Sequence, residues 1–289
     1  MNYSALIQNR KSVRSFTDKK VPVYTMAELR SYFQSGVKRL LPEIKTELRI
    51  FGDDVRQALE GAAGYNQFLV GAPQYLVLMS QAHPQAFHNA GFIMEDLVLK
   101  LTDMGYDTCW VTFTDSDRVK QALEIESDLQ VAAIVAYGIG KKTTKRLRLN
   151  ILSMSNVDIR AKRDYFEPKR PMREMVFLEE WGNRDGVDEH IGFFDEMLWE
   201  ALYAVCHSPS YLNRQAYGIV LKNDGTVVLV RRPDEYTTEL DGQLSEGIAM
   251  LHFTAVAQPF SANIRWRFGP EKAALELPQG FEVVASCLV

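Results

Sequence analysis

The side chains best suited to chemistry are cations and a hydroxyl near the start of the chain, at residues 10–16. This basic stretch reads Arg10-Lys11-Ser12-Val13-Arg14-Ser15-Phe16. Positive side chains beside a hydroxyl are typical of a site that grips an anion, because charge-assisted hydrogen bonds are the strong ones. Taken alone, such a stretch is more often a solvated basic turn, since short motifs are frequently matched by chance.

Two further segments are candidates for the same site. The Ser-Pro-Ser segment, residues 208–215, reads Ser208-Pro209-Ser210-Tyr211-Leu212-Asn213-Arg214-Gln215. Taken alone, such a segment is most often the turn that follows a helix, because its residues are turn formers. Residues 107–111 read Asp107-Thr108-Cys109-Trp110-Val111 and alone would be a core strand. The presence of all three segments in one chain, each in a suitable structural context, favours a shared function.

The first half of the chain alternates helix and strand patterns around the basic stretch. Residues 2–9 predict a short helix with Ser4 as a weak cap, and Thr25 with Glu28 predicts a capping box for a helix to about residue 33. A long helix with apolar residues at helical spacing ends before Gly105. The other predictions are strands at 48–51, 73–79, 107–113 and 131–137, the long helix from 84 or 87 to 104, and a short helix at 117–123.

The second half repeats this order in part. Residues 141–181 are polar and basic and predict a crossover arm, with an edge strand or packed extended piece at 175–178. Both halves run helix, strand, long apolar helix and a strand with a tryptophan, which indicates a weak internal repeat. The predicted division is 1–150, an arm at 151–185, and 186–289. The elements predicted in this half are a helix at 190–206, a hairpin of strands 217–221 and 227–231 around Asn223-Asp224-Gly225, a helix at 242–256, and strands at 263–268 and 281–285.

The bulk composition argues against several classes of protein. The net charge is −4 with both signs interspersed, so no nucleic-acid surface is predicted, since that needs a basic face. The three cysteines lie far apart, which argues against a secreted disulfide scaffold. The first residues lack an apolar signal core, and no apolar run reaches the ~18 residues of a membrane helix. We therefore expect a cytoplasmic protein without a membrane partner.

The sequence also lacks the motifs of several enzyme classes. It has no Gly-x-Ser-x-Gly elbow, no His-Glu-x-x-His and no Cys-x-x-Cys pair, so neither an acyl-transfer serine nor a zinc site is predicted. Residues 138–143 follow a strand but lack the spacing of a phosphate loop, so we interpret them as a strand exit. No Rossmann fingerprint opens a helix, so a nicotinamide donor would be a visiting substrate.

Taken together, these motifs resemble those of the FMN-dependent nitroreductase family over most of the chain. The family's Arg-Arg-Ser-x-Arg-x-Phe is matched at residues 10–16, and its Gly-x-Gly-Thr-Cys-Trp at residues 105–110. Its Ala-Pro-Ser-Ala-x-Asn-x-Gln-Pro-Trp is matched loosely at residues 208–217, and its Arg-Lys-Pro-Leu-Glu-Glu-Val-Val is echoed at residues 169–176. In ordinary members the Ala-Pro-Ser segment follows the basic stretch closely, whereas here it lies in the second half.

This displacement resembles a subgroup in which two family units are fused. Ordinary members are homodimers whose flavins lie between subunits, one subunit giving the basic stretch and the other the Ala-Pro-Ser segment. The resemblance therefore implies an α+β, nitroreductase-like fold. It would have two half-domains, with central mixed or antiparallel sheets flanked by helices, forming a pseudo-dimer within one chain. It also implies one bound FMN per chain, no equivalent second site, and a monomer or weak oligomer.

The resemblance also implies the roles of individual residues. Arg10, Ser12 and Arg14 would serve the phosphate and ribityl chain, with Lys145 or Arg146 adding phosphate contacts. Lys11 would lie near the pyrimidine edge of the ring, where a cation stabilises negative charge. Tyr211 replaces a small family residue, so a phenol would narrow or roof the substrate pocket. The ring itself would be contacted by the backbone of Cys109, Trp110 and Val111 and by Ser208, Pro209, Ser210, Asn213 and Gln215.

The implied function is that of an FMN-dependent oxidoreductase. NADH or NADPH would reduce the flavin and leave, and a nitroaromatic, a quinone or a similar small acceptor would then react in a ping-pong cycle. No catalytic side chain is predicted, because the flavin carries the chemistry. Two alternatives stay open, since membership of a fold family does not settle function. They are a non-catalytic FMN-binding sensor or store, and a degenerate member that binds no flavin.

Overall fold

The structure is a computed structural model that describes residues 1–65, 68–142, 145–153, 156–163, 169–185, 196–261, 264–269 and 275–289. For residues 145–153 and 156–163 it describes the backbone. The chain divides into two compact units. Unit 1 comprises Met1 with Asn9–Glu167, and unit 2 comprises Asn2–Gln8 with Pro168–Val289.

Helices and strands alternate along the chain. The elements up to residue 163 are α1 (Tyr3–Asn9), α2 (Val23–Ser35), β1 (Thr46–Gly52), a 3-10 turn at Asp53–Val55, α3 (Arg56–Leu59), β2 (Gln74–Ser80), α4 (Ala86–Asp103), β3 (Asp107–Val111), α5 (Ser116–Ala122), β4 (Gln130–Gly138), β5 (Lys145–Ser153) and β6 (Asn156–Arg163). The elements after residue 163 are α6 (Met172–Met175), β7 (Val176–Leu178), α7 (Glu196–Cys206), a 3-10 turn at Tyr211–Asn213, β8 (Tyr217–Leu221), β9 (Thr226–Arg231), α8 (Glu239–Ala257), β10 (Arg267–Phe268) and β11 (Glu282–Leu288).

The core of unit 1 is an antiparallel sheet covered by α4. Its strand order is β1-β2-β4-β3, with Leu48 opposite Leu78 and Leu76 opposite Val135. The two central strands are buried along almost their whole length, which explains their unbroken apolar sequences. The apolar residues of α4 are buried on nearly every side, so this helix is an internal element.

Unit 2 is built on a five-stranded mixed sheet in the order β10-β11-β9-β8-β7. Only the edge pair β7 and β8 is parallel, and the other neighbours are antiparallel. The β8–β9 hairpin turns at Asn223-Asp224-Gly225, where Gly225 has a φ of +82° and Asp224 Oδ1 accepts from the Thr226 N–H at 2.9 Å. This left-handed turn residue is the reason for a glycine at that position.

The same topology occurs once in each unit. In unit 1 the succession β1-β2-α4-β3-β4 gives the sheet order β1-β2-β4-β3. In unit 2 the succession β8-β9-α8-β10-β11 gives β8-β9-β11-β10, with β7 added at one edge. Each long helix also accepts an indole N–H, from Trp110 to Glu95 in α4 and from Trp266 to Thr254 in α8. The internal repeat indicated by the sequence is therefore present in the fold.

Two of the predicted helix caps are wrong. The side chain that caps α1 is Asn2, whose Oδ1 accepts from the Ala5 N–H at 3.2 Å, whereas Ser4 lies inside the helix and donates to Glu200. The helix α2 begins after Pro22 without a side-chain cap. Thr25 is buried and bonded to the Tyr106 hydroxyl at 3.0 Å, so a tertiary contact takes the hydroxyl that a capping box would use.

The prediction for residues 141–181 is corrected in part. The polar composition predicts a crossover arm and no strand before residue 175, and the structure adds an antiparallel two-stranded sheet of β5 and β6 there. The predicted edge strand is confirmed as β7. The helix predicted from residue 190 is described from Glu196, and residues 190–195 lie outside the described residues. The late strand predicted at 263–268 is shorter, because β10 holds only Arg267–Phe268; residue 263 also lies outside the described part.

Candidate functional site

The basic stretch lies against the ends of two strands of unit 1. The Val13 N–H donates to the Thr108 carbonyl at 2.9 Å, which joins the stretch to β3. The Thr17 N–H donates to the Ile139 carbonyl at 2.8 Å, which joins it to the residues that follow β4. The fold thus brings together the basic stretch and residues 107–111, two of the three segments predicted to share a site.

Glycines at the end of β4 permit this close approach. A Cβ on Gly140 would lie 2.7 Å from Oδ2 of Asp107 and 2.9 Å from a methyl group of Val13. The Gly140 N–H itself donates to Asp107 Oδ2 at 2.9 Å. A Cβ on Gly138 would lie 2.5 Å from the ring of Pro73. These glycines therefore serve close packing at the end of β4. Residues 139–142 follow that strand, in agreement with the interpretation of this stretch as a strand exit, and residue 143 lies outside the described residues.

Arg10 is the buried cation of the site. Its side chain is only 6% exposed, and its Nε lies 3.5 Å from Oε1 of Glu95, which is 0% exposed. Nε and Nη1 of Arg10 are buried and have no hydrogen-bond partner among the described residues. A buried donor without an acceptor costs about 1–3 kcal/mol. An anion placed against this guanidinium would therefore satisfy donors that the described protein leaves unsatisfied.

Glu95 is a residue of this site that the sequence analysis missed. Its Oε2 accepts the indole N–H of Trp110 at 2.8 Å, so it links α4 to β3 as well as to Arg10. The signal in the sequence was Glu95-Asp96, two acids flanked by the apolar residues 92–94 and 97–99 of one helix. Acids are almost never fully buried unless they are paired. The neighbouring Asp96 accepts from the Tyr32 hydroxyl at 3.0 Å and serves the packing of α2.

The other predicted residues of unit 1 differ in exposure. Lys11 and Ser12 are exposed and Arg14 is half-buried, so their polar groups face solvent at least in part. Cys109 is buried, and this burial raises the pKa of its thiol against the opposing effect of nearby Arg14 and Arg10. A thiol with a raised pKa carries little thiolate, which agrees with a structural cysteine.

The remaining predicted residues of unit 1 lie in strands. Trp110 is half-buried and Val111 is buried, both within β3. Lys145 and Arg146 are the first residues of β5, and their side chains lie outside the described part of the structure. Their contribution to a phosphate site stays a prediction.

In unit 2, the Ser-Pro-Ser segment starts from buried side chains. Ser208 is 0% exposed, and its Oγ lies 3.0 Å from Nδ1 of the equally buried His252 in a hydrogen bond. Lys169 donates from Nζ to the Ser208 carbonyl at 2.8 Å. Pro209 is buried as well. The start of the segment is therefore fixed by the core of its own unit.

Gln215 fixes the other end of the segment. Its Oε1 accepts from the Arg170 N–H at 2.7 Å, and its Nε2 donates to the Cys206 carbonyl at 2.8 Å. Its own N–H donates to Oγ of Ser210 at 2.9 Å. Both ends of a fully buried amide are thus used inside unit 2. Gln215 therefore stabilises the conformation of the segment through hydrogen bonds within unit 2.

The segment also contains backbone strain. Leu212, Asn213 and Gln215 have φ values of +46°, +58° and +46°. The left-handed region costs about 1–2 kcal/mol for a residue other than glycine. Three such residues within four positions persist because the hydrogen bonds of the segment hold them there. Strain of this kind concentrates at functional sites, which makes the segment a candidate for ligand contact.

A small cleft lies beside Tyr211. Its cavity volume is about 10 Å³, and its lining includes Tyr211, Arg214, Tyr217 and Ser245. The Tyr211 N–H donates to Oγ of Ser245 at 3.1 Å, which anchors the phenol-bearing residue to α8. Sites for small molecules generally have volumes of about 300–1,000 Å³. This cleft is therefore too small to hold a nucleotide by itself.

Two kinds of site or segment are absent from the residues that the structure describes. No group of three or more His, Cys, Asp or Glu residues in that part of the chain could hold a metal ion. Within the same residues, no helix combines the length and apolarity needed to span a membrane.

Comparison with known proteins gives one family and a full-length structural match. The model of a family described as "Putative TM nitroreductase" matches residues 2–257. A "putative nitroreductase" from Thermotoga maritima MSB8 is 18% identical, with a TM-score of 0.58 over 100% of this chain and 94% of that chain. This match shows that a nitroreductase-like fold extends over the whole chain.

Other solved structures match about half of the chain. A nitroreductase family protein from Clostridium novyi NT is 20% identical, with a TM-score of 0.43 over 49% of this chain and 87% of that chain. An FMN-dependent nitroreductase from Clostridium difficile R20291 is 16% identical, with a TM-score of 0.40 over 49% of this chain and 89% of that chain. The search of curated proteins found no match.

Proposed function

Because the chain belongs to the nitroreductase family whose model it matches over residues 2–257, we propose that it is an FMN-dependent oxidoreductase. The observation that carries the proposal is the buried Arg10, whose Nε and Nη1 have no acceptor among the described residues. The phosphate of FMN is a dianion with strong acceptor oxygens, and the guanidinium presents donors that match such a group. The donor set therefore fits the cofactor that the family resemblance implies.

Several residues of unit 1 would bind FMN. Arg10, Ser12 and Arg14 would bind the phosphate and ribityl chain, and Lys145 or Arg146 would add to the phosphate site. Lys11 is exposed, and it would stabilise negative charge at the pyrimidine edge of the ring. The backbone of Cys109, Trp110 and Val111 would support the ring, because β3 lies directly beside the basic stretch.

The Ser-Pro-Ser segment would provide the remaining contacts. Ser208 and Gln215 are fully buried and hydrogen-bonded within unit 2, so their part would be to shape the segment. Ser210 and Asn213 are half-buried and would approach the ring together with Pro209. Tyr211 would border the acceptor and determine which molecules enter.

The repeated topology supports a pseudo-dimer with one FMN per chain. Each unit contains the same four-strand and helix arrangement, as expected from the fusion of two family units. The motifs are not repeated, because the basic stretch occurs only in the first half and the Ser-Pro-Ser segment only in the second. One complete set of motifs implies one cofactor, and an internal dimer gives no reason for further tight association.

When bound, FMN would supply the redox chemistry, a hydride transfer from NADH or NADPH and the reduction of a second substrate. The chain contributes binding and orientation, and the acceptor would be a nitroaromatic, a quinone or a related small molecule. NADH or NADPH would enter and leave as a substrate, since no Rossmann fingerprint is present.

Anaerobic addition of NADH or NADPH tests this function. We expect the absorption band of protein-bound FMN to bleach, and to return when a quinone or nitroaromatic is added. Free FMN at the same concentration, without protein, is the control. A yellow protein that is inert to both nicotinamides would contradict the enzyme and favour a flavin-binding sensor or store. A protein that is colourless after incubation with FMN and removal of the excess would contradict flavin binding altogether.

A further inference from the structure

Glu95 is a fully buried carboxylate in the middle of α4. One oxygen, Oε2, accepts the Trp110 indole N–H at 2.8 Å, and the other, Oε1, lies 3.5 Å from Nε of Arg10. Removing a carboxylate from water is strongly unfavourable unless a cation or hydrogen bonds compensate. Arg10 provides such a cation, and the Trp110 indole provides such a hydrogen bond.

The distance between the two groups has a consequence for Arg10. At 3.5 Å the ion pair keeps the guanidinium in its buried position through charge, but it is longer than an N–H···O hydrogen bond. Nε and Nη1 accordingly have no hydrogen-bond partner among the residues that the structure describes. Glu95 thus holds the cation in place without using up these two donors.

We infer that Glu95 is a positioning residue, which orients Arg10 before the cofactor arrives. The inference rests on the proposed function, in which Arg10 binds the phosphate of FMN. A long arginine side chain loses rotamer freedom when it is ordered, and a partner that orders it beforehand removes this cost from binding. Glu95 therefore contributes to FMN affinity through its effect on Arg10.

The test variant is Glu95→Gln. Glutamine keeps the size of the side chain and an oxygen that can accept the Trp110 N–H, so the substitution removes chiefly the charge. We expect the dissociation constant for FMN, measured by quenching of flavin fluorescence, to rise about tenfold. In an Arg10→Ala background the same substitution should have no further effect, because residues that act through one another are not additive.

Glu246→Gln is the matched control. Glu246 is 1% exposed, lies in α8 and pairs with Arg231 at 2.7 Å, so it is also a buried glutamate in an ion pair. Its substitution should lower the melting temperature but leave the FMN dissociation constant unchanged. If Glu95→Gln also leaves that constant unchanged, or if its effect adds fully to that of Arg10→Ala, Glu95 is only a structural residue and the inference is wrong.

A second measurement does not depend on the cofactor. Phenylglyoxal modifies accessible arginines, and the extent of modification at Arg10 can be followed by peptide mass spectrometry. Arg10 should be protected in the wild-type protein and react several-fold faster in Glu95→Gln, with no increase in Glu246→Gln. An unchanged rate at Arg10 would overturn the inference. Wild-type protein that fails to bind FMN would contradict the proposed function, and the phenylglyoxal result would then decide on Glu95 separately.

Discussion

FMN is expected to bind the Arg10→Ala variant at least about 100-fold more weakly than the wild-type protein. Hydrogen bonds to charged groups contribute about 1.5–3 kcal/mol each, and Arg10 has two buried donors without a partner among the described residues. A 100-fold change corresponds to about 2.7 kcal/mol, which is slightly less than the roughly 3–6 kcal/mol that two such bonds provide. Fluorescence titration with FMN measures the effect directly.

The same substitution would leave Glu95 buried without its cation. Breaking a buried ion pair from one side typically costs about 3–5 kcal/mol of stability, so reduced folding has to be separated from lost binding. The double variant Arg10→Ala with Glu95→Gln removes the isolated charge, and it should recover much of the stability while FMN binding stays weak. Unchanged FMN affinity in a folded Arg10→Ala protein would refute this site.

A second large effect is expected from Gln215→Ala in the Ser-Pro-Ser segment. The substitution leaves the part-buried Arg170 N–H and the buried Cys206 carbonyl without their side-chain partner. Each unsatisfied group costs about 1–3 kcal/mol, so we expect unit 2 to lose about 3 kcal/mol of unfolding free energy. The strained backbone at Leu212 and Asn213 would also lose its brace.

Calorimetry measures the thermal transition of the Gln215→Ala variant, and the Gln243→Ala variant is the control. A loss of about 3 kcal/mol should lower the thermal transition by about 6–12 °C. Gln243 lies in the same unit, but its side-chain bond to Glu239 is exposed, so its substitution should change the transition by about 1 °C or less. Equal thermal transition temperatures for the two variants would show that Gln215 does not stabilise the segment.

Local sequence patterns predicted the main elements of the fold well. The apolar sequences of β2 and β4 and the periodicity of α4 are properties of short windows, and the structure forms these elements close to the predicted positions. Asp224-Gly225 likewise specifies its hairpin locally. Where burial and turn chemistry act over a few residues, the sequence is sufficient.

One error and one omission involve distant partners. Thr25 has the spacing of a capping box, yet its hydroxyl bonds Tyr106 from another part of unit 1. The pairing of Glu95 with Arg10 depends on how α4 is placed beside the basic stretch, which no local pattern encodes. The sequence thus predicted Arg10 as a site residue but could not show which residue balances its charge.

The visible absorption spectrum of the purified protein, with released FMN counted per chain, tests the central claim most directly. We predict a yellow protein that contains one FMN per chain, either as purified or after incubation with FMN and removal of the excess. A protein that remains colourless after this incubation would contradict the account, and two FMN per chain would contradict the single site.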